Sequence, residues 1–393
     1  MTEVVITAAK RTPIGSFQGT LSTVPAVDLG AIAIRSAVEQ SGVDAKDVDE
    51  VLMGMVLTAG AGQAPARQAA INASLPVSVP CTTINKVCGS GLKTAMFAHQ
   101  AILCGDIKVA VAGGMETMSM APYVLPNARS GYRMGPGELV DAMIHDGLWD
   151  PFGNSGMGDY GDLCAREKDF SRDVQDAYAI RSYERAIAAQ ASGAFDNEIV
   201  SVDVKSRKAT NTVAADEEPS RFRPEKIPGL RPAFSKEGSV TAANASKISD
   251  GAAAVVVMQQ EMAKATGAPA LAKIVSTGSF AQQPEWFTTA PAGAISDALK
   301  KANLSAGDID LYEINEAFAV VALATIQELK LDENKVNVLG GAVSLGHPIG
   351  CSGTRILVTL IHALRQQNKR YGCAALCIGG GEAVAMIVEN PDA

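Results

Sequence analysis

The sequence predicts an α/β fold made of two duplicated halves, each a helix–sheet–helix sandwich, with an inserted loop domain in the first. Three features point there. The stretch AVEQSGVDAKDVDEV from Ala37 aligns without a gap with ALKKANLSAGDIDLY from Ala298. Each reads as the end of an apolar helix, a short turn, an Asp-x-Asp and a strand. A second pair follows in the same order. CGSGLK, an apolar helix and VAVAGGME end at Glu116; CSGTRI, an apolar helix and AALCIGGGE end at Glu382. Either likeness alone carries little weight, but two in one order mark a duplication. Finally, strands and helical patterns alternate in both halves, which predicts parallel strands joined by crossover helices.

The first half opens almost directly on a strand-like run, VVITAAK, and continues to Glu116. Residues 119–249 have no counterpart in the second half and are rich in Gly, Pro, Asp and Arg. They contain one amphipathic helix, with Ser171 as N-cap, Asp173 in its first turn and Gly193 near its end. Such a loop-rich excursion is a common place for substrate-binding elements. GAAAVVVM from Gly251 resumes the first half. The expected units are residues 1–118 with 250–269 (N-terminal half), 119–249 (insert) and 270–393 (C-terminal half).

The chain has 393 residues, 47% hydrophobic and 19% charged, enough for a large core closely packed with Ala and Gly. No apolar run reaches the length of a membrane span. The N-terminus lacks the pattern of a signal or transit peptide, and the final Pro-Asp-Ala is not a peroxisomal address. The expected location is therefore the cytoplasm, with no membrane partner. The seven cysteines are odd in number and scattered, which argues against a disulfide framework or a zinc site. A net charge of −8 argues against nucleic acid, so a polyanionic ligand needs a local basic cluster.

Four segments carry chemistry. Cys88 precedes Gly-Ser-Gly at a strand-to-helix turn, where helix N–H groups are expected to lower a thiol pKa. The plainer reading is a small buried hydrophobe. Cys377 ends a strand before three glycines, whose N–H groups can line an anion hole; it can equally be a strand-end cysteine beside a turn. His347, one of only four histidines, lies among Gly, Pro and small residues, a poor packing choice but a good proton carrier. Asn315 and Glu316 stand where a strand ends and a helix starts, so Asn315 reads either as an N-cap or as a donor to water or substrate. All four fall at strand ends, where α/β sheets place their sites. Two cysteines and a histidine there suggest acyl transfer through a thioester.

NKVCGSGLKT, NEAFA, GGAVSLGHPIGCSG and CIGGGEA together resemble the motifs of the thiolase family, and KRTPIGSF, GQAPARQ, AGGMETMS, GSVTAANAS and ISDGAAA extend the match over essentially the whole chain. Within it, the resemblance is nearest to the acetoacetyl-CoA thiolases (acetyl-CoA acetyltransferases). It implies a layered α/β/α/β/α sandwich and a reversible Claisen condensation of two acetyl-CoA into acetoacetyl-CoA and CoA. It implies Cys88 as nucleophile, His347 as its base and Cys377 as the acid/base at the α-carbon. One oxyanion hole would come from His347 and a water on Asn315, the other from the N–H groups of Cys88 and Gly379. Coenzyme A contacts are implied at Met157, Tyr183, Arg221, Phe222, Arg223, Lys226, Phe234, Ser246 and Phe318. No cofactor is required, coenzyme A being a substrate. Some members bind potassium, here at Tyr183, Ala242, Ala243, Ala245 and Val343. A homo-oligomer, dimer or dimer of dimers, is also implied.

The match has one gap. Gly156 stands where short-chain members carry a histidine before Met-Gly, which puts strict short-chain preference in question. Trp286 and Phe287 fall in a stretch expected to face the acyl pocket, where they either restore bulk or merely pack. The competing readings are a broad-chain 3-ketoacyl-CoA thiolase of fatty-acid degradation and a non-catalytic acyl-CoA-binding protein. If Cys88 and Cys377 face one substrate, oxidation would join them.

Overall fold

The computed structural model describes residues 2–393. The first half contains β1 (Val4–Arg11), α1 (Ala26–Ser41), β2 (Glu50–Gly54), α2 (Pro65–Asn72), β3 (Cys81–Ile84), α3 (Ser90–Cys104) and β4 (Val109–Thr117). The insert carries α4 (Met157–Glu167) and α5 (Arg172–Ala191); the chain returns as β5 (Ser249–Gln259) and α6 (Gln260–Thr266). The second half runs β6 (Ala272–Ala281), α7 (Ala290–Ala302), β7 (Leu311–Ile314), α8 (Ala319–Leu329) and the single turn α9 (Ala342–Leu345). It ends with α10 (Ser352–Gln366), β8 (Tyr371–Ile378) and β9 (Glu382–Glu389).

The duplicated stretches fold alike. Gly42 ends α1 at φ 70° and Asn303 ends α7 at φ 56°, both left-handed caps suited to those two residue types. A short 3-10 turn and a strand follow each. Strand order is β1-β5-β4-β2-β3 in the first half and β6-β9-β8-β7 in the second. In the second, a single parallel bridge from Tyr312 to Val336 stands where β3 does in the first. The two sheets touch edge to edge through Val5–Lys273 and Ile6–Ala272.

The strands are not all parallel. β2 runs parallel to β3 and β4, and β7 to β8, but β4–β5 and β8–β9 are antiparallel. The reason is connection length: only Gly379–Gly381 join β8 to β9, and a tight hairpin permits no other direction. In the first half the chain between Thr117 and Ser249 leaves from this same corner.

Alternation along each buried strand sets the layers. On β5, Val255 and Val257 face the middle layer with Leu92 and Met96 of α3 and Ile356 and Leu360 of α10. Val256 and Met258 face outward to Leu29 and Ile34 of α1. On β8, Leu376 faces α3 and α10, while Cys373 and Ala375 face Ala294 and Val320 of α7 and α8. The result is α/β/α/β/α. The middle helices cross at small residues: a Cβ on Gly353 would lie 2.2 Å from the Leu92 nitrogen, and one on Gly91 2.8 Å from that of Thr354.

The insert is tied to β1 by a buried ion cluster. Arg11 donates to Glu198 at 2.6 Å and to Asp216 at 2.7 and 2.9 Å. Removing one partner would leave an unpaired buried charge, at a cost of about 3–5 kcal/mol. α5 starts as its sequence signals: the Ser171 hydroxyl accepts from the Val174 N–H at 3.3 Å. Among the described residues no helix is long and apolar enough to cross a membrane.

Candidate active site

Cys88 sits between β3 and α3 in a turn built by its neighbours. The Asn85 side chain accepts from the Val87 N–H at 2.9 Å. Ser90 Oγ accepts from the Lys86 N–H at 2.8 Å and donates to the Val87 carbonyl at 2.7 Å. Val87 is thereby held at φ 45°, a strained setting for a β-branched residue. Cys88 is half-buried, and its sulfur is faced by its own N–H and that of Gly379. Burial pushes the thiol up to about 11 against those two donors. The two N–H groups lower the thiol, as expected of a helix N-terminus, but desolvation outweighs them.

Cys377, near the end of β8, is buried, and burial raises its thiol well above the ordinary value, with the Cys88 charge adding to the rise. Gly380 and Gly381, at φ 92° and 84°, make the following turn possible.

His347 follows α9, with its N–H donated to the Lys247 carbonyl at 2.9 Å. Its Nδ1 lies 2.6 Å from Ser352 Oγ at the start of α10. Ser352 donates its one hydrogen to the Pro348 carbonyl at 3.0 Å, so it accepts from Nδ1–H. Nε2 then carries the lone pair, and it has no partner. Burial, with the Arg355 charge second, holds the imidazole down to about 3, hence neutral.

Asn315 is fully buried and does not cap α8, whose N-cap is Phe318. Its Nδ2 lies 3.5 Å from His347 Nδ1, which already donates to Ser352, so the two make no hydrogen bond, and its Oδ1 has no partner. Glu316 is a structural hub. It accepts from Tyr178, Ser182, Asn337 and the Val343 N–H at 2.8–3.0 Å. Unpartnered buried polar atoms such as His347 Nε2 and Asn315 Oδ1 are rare unless a ligand or water completes them.

Two cavities meet here. The first, about 450 Å³, is lined by His347, Ser246, Lys247, Met157, Phe234, Phe318, Gly156 and an apolar wall of Met118, Met143, Leu148, Trp149 and Ile349. Cys88 packs against the cluster of Met118, Met143 and Ile349 in that wall. The second, about 440 Å³, is lined by Tyr183, Arg221, Phe222, Arg223, Lys226, Ala242, Ala243 and Lys247.

Residues 4–261 match the thiolase N-terminal domain and residues 268–390 the thiolase C-terminal domain. The chain belongs to the thiolase family. It is 52% identical to an acetyl-CoA acetyltransferase of Pseudomonas aeruginosa, over 98% of this chain and 99% of that protein. It is 51% identical to one of Cupriavidus necator, over 99% and 100%, and 51% identical to acetyl-CoA acetyltransferase 2 of Arabidopsis thaliana, over 98% and 97%.

The thiolase motifs thus bring Cys88, Cys377, His347, Asn315 and Gly379 to one corner, with the expected coenzyme A positions divided between the two cavities. Met157, Phe234, Ser246 and Phe318 line the first; Tyr183, Arg221, Phe222, Arg223 and Lys226 line the second. Arg221 is paired with Glu217, whereas Arg223 donates only to the carbonyls of Ser220 and Phe222.

One expectation changes. Trp286 and Phe287 are not part of the first cavity's wall; Phe287 packs behind it, 6.3 Å from the Phe318 ring. The short turn leading into α7 draws it into the outer layer, and Trp149 and Met143 of the insert supply the wall instead. The positions expected for potassium meet a lysine. Tyr183, Ala243, Ala245 and Val343 are buried near one another, but Ala242 is exposed, and the Lys247 ammonium already takes the Ala245 carbonyl at 2.7 Å.

Sequence reading missed three residues of this thiolase site. Ser352 fixes the His347 tautomer, and its signal lay in CSG directly after the histidine loop. Glu116 accepts N–H bonds from Val56, Leu57 and Gly350 at 2.9–3.2 Å, tying together both loops beside Cys88. Lys247 had no local signal at all.

Proposed function

We propose that this thiolase condenses two acetyl-CoA reversibly into acetoacetyl-CoA and CoA through an acetyl-Cys88 intermediate. One observation carries the reading. A thiol faced by two N–H groups packs against the apolar wall of the cavity that His347 lines, and His347 Nε2 and its neighbour Asn315 Oδ1 are buried without a partner. The names of the relatives supply the acetyl group.

Cys88 and His347 start neutral. As Cys88 attacks the thioester, its proton passes to His347 Nε2, and the N–H groups of Cys88 and Gly379 receive the oxyanion. Cys377, protonated at rest, gives its proton to the departing CoA sulfur. It is then the thiolate that removes the α-proton of a second acetyl-CoA. The His347 imidazolium Nε2–H, with a water held by Asn315, stabilises that enolate. The carbanion attacks acetyl-Cys88; the tetrahedral centre collapses, and the Cys88 thiolate regains its proton from His347. Each proton transfer is between the chain and its substrates, so no cofactor takes part.

A second reading, a thiolase accepting longer 3-ketoacyl chains, is favoured by Gly156, which leaves that side of the cavity wall without a side chain. CoA-dependent cleavage of 3-ketoacyl-CoAs of rising length decides between them, with Cys88→Ala as the blank. Activity confined to acetoacetyl-CoA supports the first reading, and comparable rates on longer chains support the second. No cleavage at any length would leave a non-catalytic acyl-CoA-binding protein. Gly156→His is expected to cut long-chain kcat/KM roughly tenfold relative to acetoacetyl-CoA, the worth of one or two methylenes. The proposal extends to a cytoplasmic homo-oligomer, dimer or dimer of dimers, which light scattering checks.

A further inference from the structure

Lys247 stands between the two cavities and lines both. Its ammonium donates to the Ala245 carbonyl at 2.7 Å and reaches that of Ala243 at 3.5 Å. It lies 5.7 Å from the centre of the Tyr183 ring. The Tyr183 hydroxyl donates to Glu218 at 3.1 Å, and the charges of Glu218 and Glu316 favour the ammonium without touching it. Among the described residues no carboxylate lies within ion-pair distance of Lys247. Burial opposes the charge and brings the group down to about 8. A lysine held by carbonyls and a ring face, with its counter-charges at a distance, is bound as a free monovalent cation would be.

The main chain of the same residue faces the chemistry. The Lys247 carbonyl accepts the His347 N–H at 2.9 Å and the Ser249 hydroxyl at 2.8 Å. On its other side, the Ser246 N–H donates to the Ala317 carbonyl at 2.9 Å, and Ala245 bridges Phe318. The 243–247 loop is thus tied to the histidine loop through Lys247 and to the asparagine loop through Ser246 and Ala245. A second cation on the same carbonyls would lie against the ammonium, where like charges repel strongly.

We propose that Lys247 is a tethered cation: its ammonium replaces a bound potassium ion, orders the 243–247 loop and, through the Lys247 carbonyl, positions His347. It is a positioning residue, and it makes the protein independent of potassium.

The test compares wild type, Lys247→Met and Lys247→Ala in potassium chloride and in choline chloride at equal ionic strength, by thermal unfolding and by thiolysis kinetics. Wild type is expected to melt at one temperature and to show one KM for CoA in both salts. Lys247→Met fills the space without charge, and its kcat/KM is expected to fall roughly tenfold, mostly through KM, in both salts, as for one lost charge-assisted hydrogen bond. Lys247→Ala leaves room for an ion; it is expected to melt higher in potassium than in choline and to regain most of the lost KM. A wild type that responds to potassium overturns the proposal, as does a Met variant equal to wild type or a folded Ala variant indifferent to potassium. Wild type alone still decides if the variants do not fold. The kinetic arm rests on the proposed thiolase activity; absence of thiolysis in every protein would mark failure of that reading and leave the melting arm to judge Lys247.

Discussion

Cys88 and Cys351 stand near corresponding places in the two halves: Cys351 is the N-cap of α10, and Cys88 directly precedes Gly89, the N-cap of α3. Cys88 is half-buried, packs against the apolar wall of the first cavity and faces the Gly379 N–H; Cys351 is 1% exposed inside the core. Burial pushes both thiols up, to about 11 and about 12. At both helix starts desolvation outweighs whatever lowers the thiol. What separates the two is access and a second donor brought from the other half. The α10 turn serves the site through its next residue instead, since Ser352 holds the histidine.

The largest effect expected from this contrast lies in the cysteines themselves. Cys88→Ala should lower kcat/KM by about 10⁴ or more, the loss of a nucleophile. Cys351→Ala should leave turnover within about twofold and reduce stability by about 1 kcal/mol, read by thermal melting. Equal losses of turnover in both would break the comparison. His347→Ala should cost about 10³ in kcat, within the range of a lost general base. Ser352→Ala should lower kcat roughly tenfold by freeing the ring, as loss of an outer hydrogen bond does. ¹⁵N NMR would show Nδ1–H in wild type and a mixture of tautomers in the variant. An unchanged spectrum would remove Ser352 from its positioning role.

The smallest effect is in pH dependence. His347 is lowered from 6.5 to about 3 by burial, so the unfolded chain takes up a proton where the native protein does not. This group's stabilising contribution is present above pH 6.5 and is lost as pH falls toward 3. Glu116 is raised by burial from 4.5 to about 7 and acts with opposite sign, its contribution declining as pH rises through that window. Melting temperatures between pH 6.5 and 4.5 should therefore fall less in His347→Asn than in wild type. Parallel curves would contradict the lowered histidine.

Much of the fold is legible in the sequence because it rests on local signals. The turn after Ser41 and the one after Ala302 carry the residues that tolerate positive φ, and Ser171 marks the start of α5. Strand direction at β8–β9 departs from the parallel expectation, although the three glycines between Ile378 and Glu382 already require a hairpin. The site segments are readable as strand ends, but Trp286 and Phe287 do not reach the pocket, because aromatic residues near a site in sequence need not point into it.

By itself, then, the sequence determined the duplication, the layers, the insertion and the segments that meet at the site. Each depends on periodicity, caps and turn residues within a few positions. Only the tertiary structure decided that Cys88 is half-buried and Cys351 closed, that His347 is neutral with a free Nε2, and that the Lys247 ammonium meets the Ala245 carbonyl. Those properties come from burial and from partners far away in the chain. Gly379 meets Cys88 and the Lys247 carbonyl meets His347 only after the halves have closed on one another.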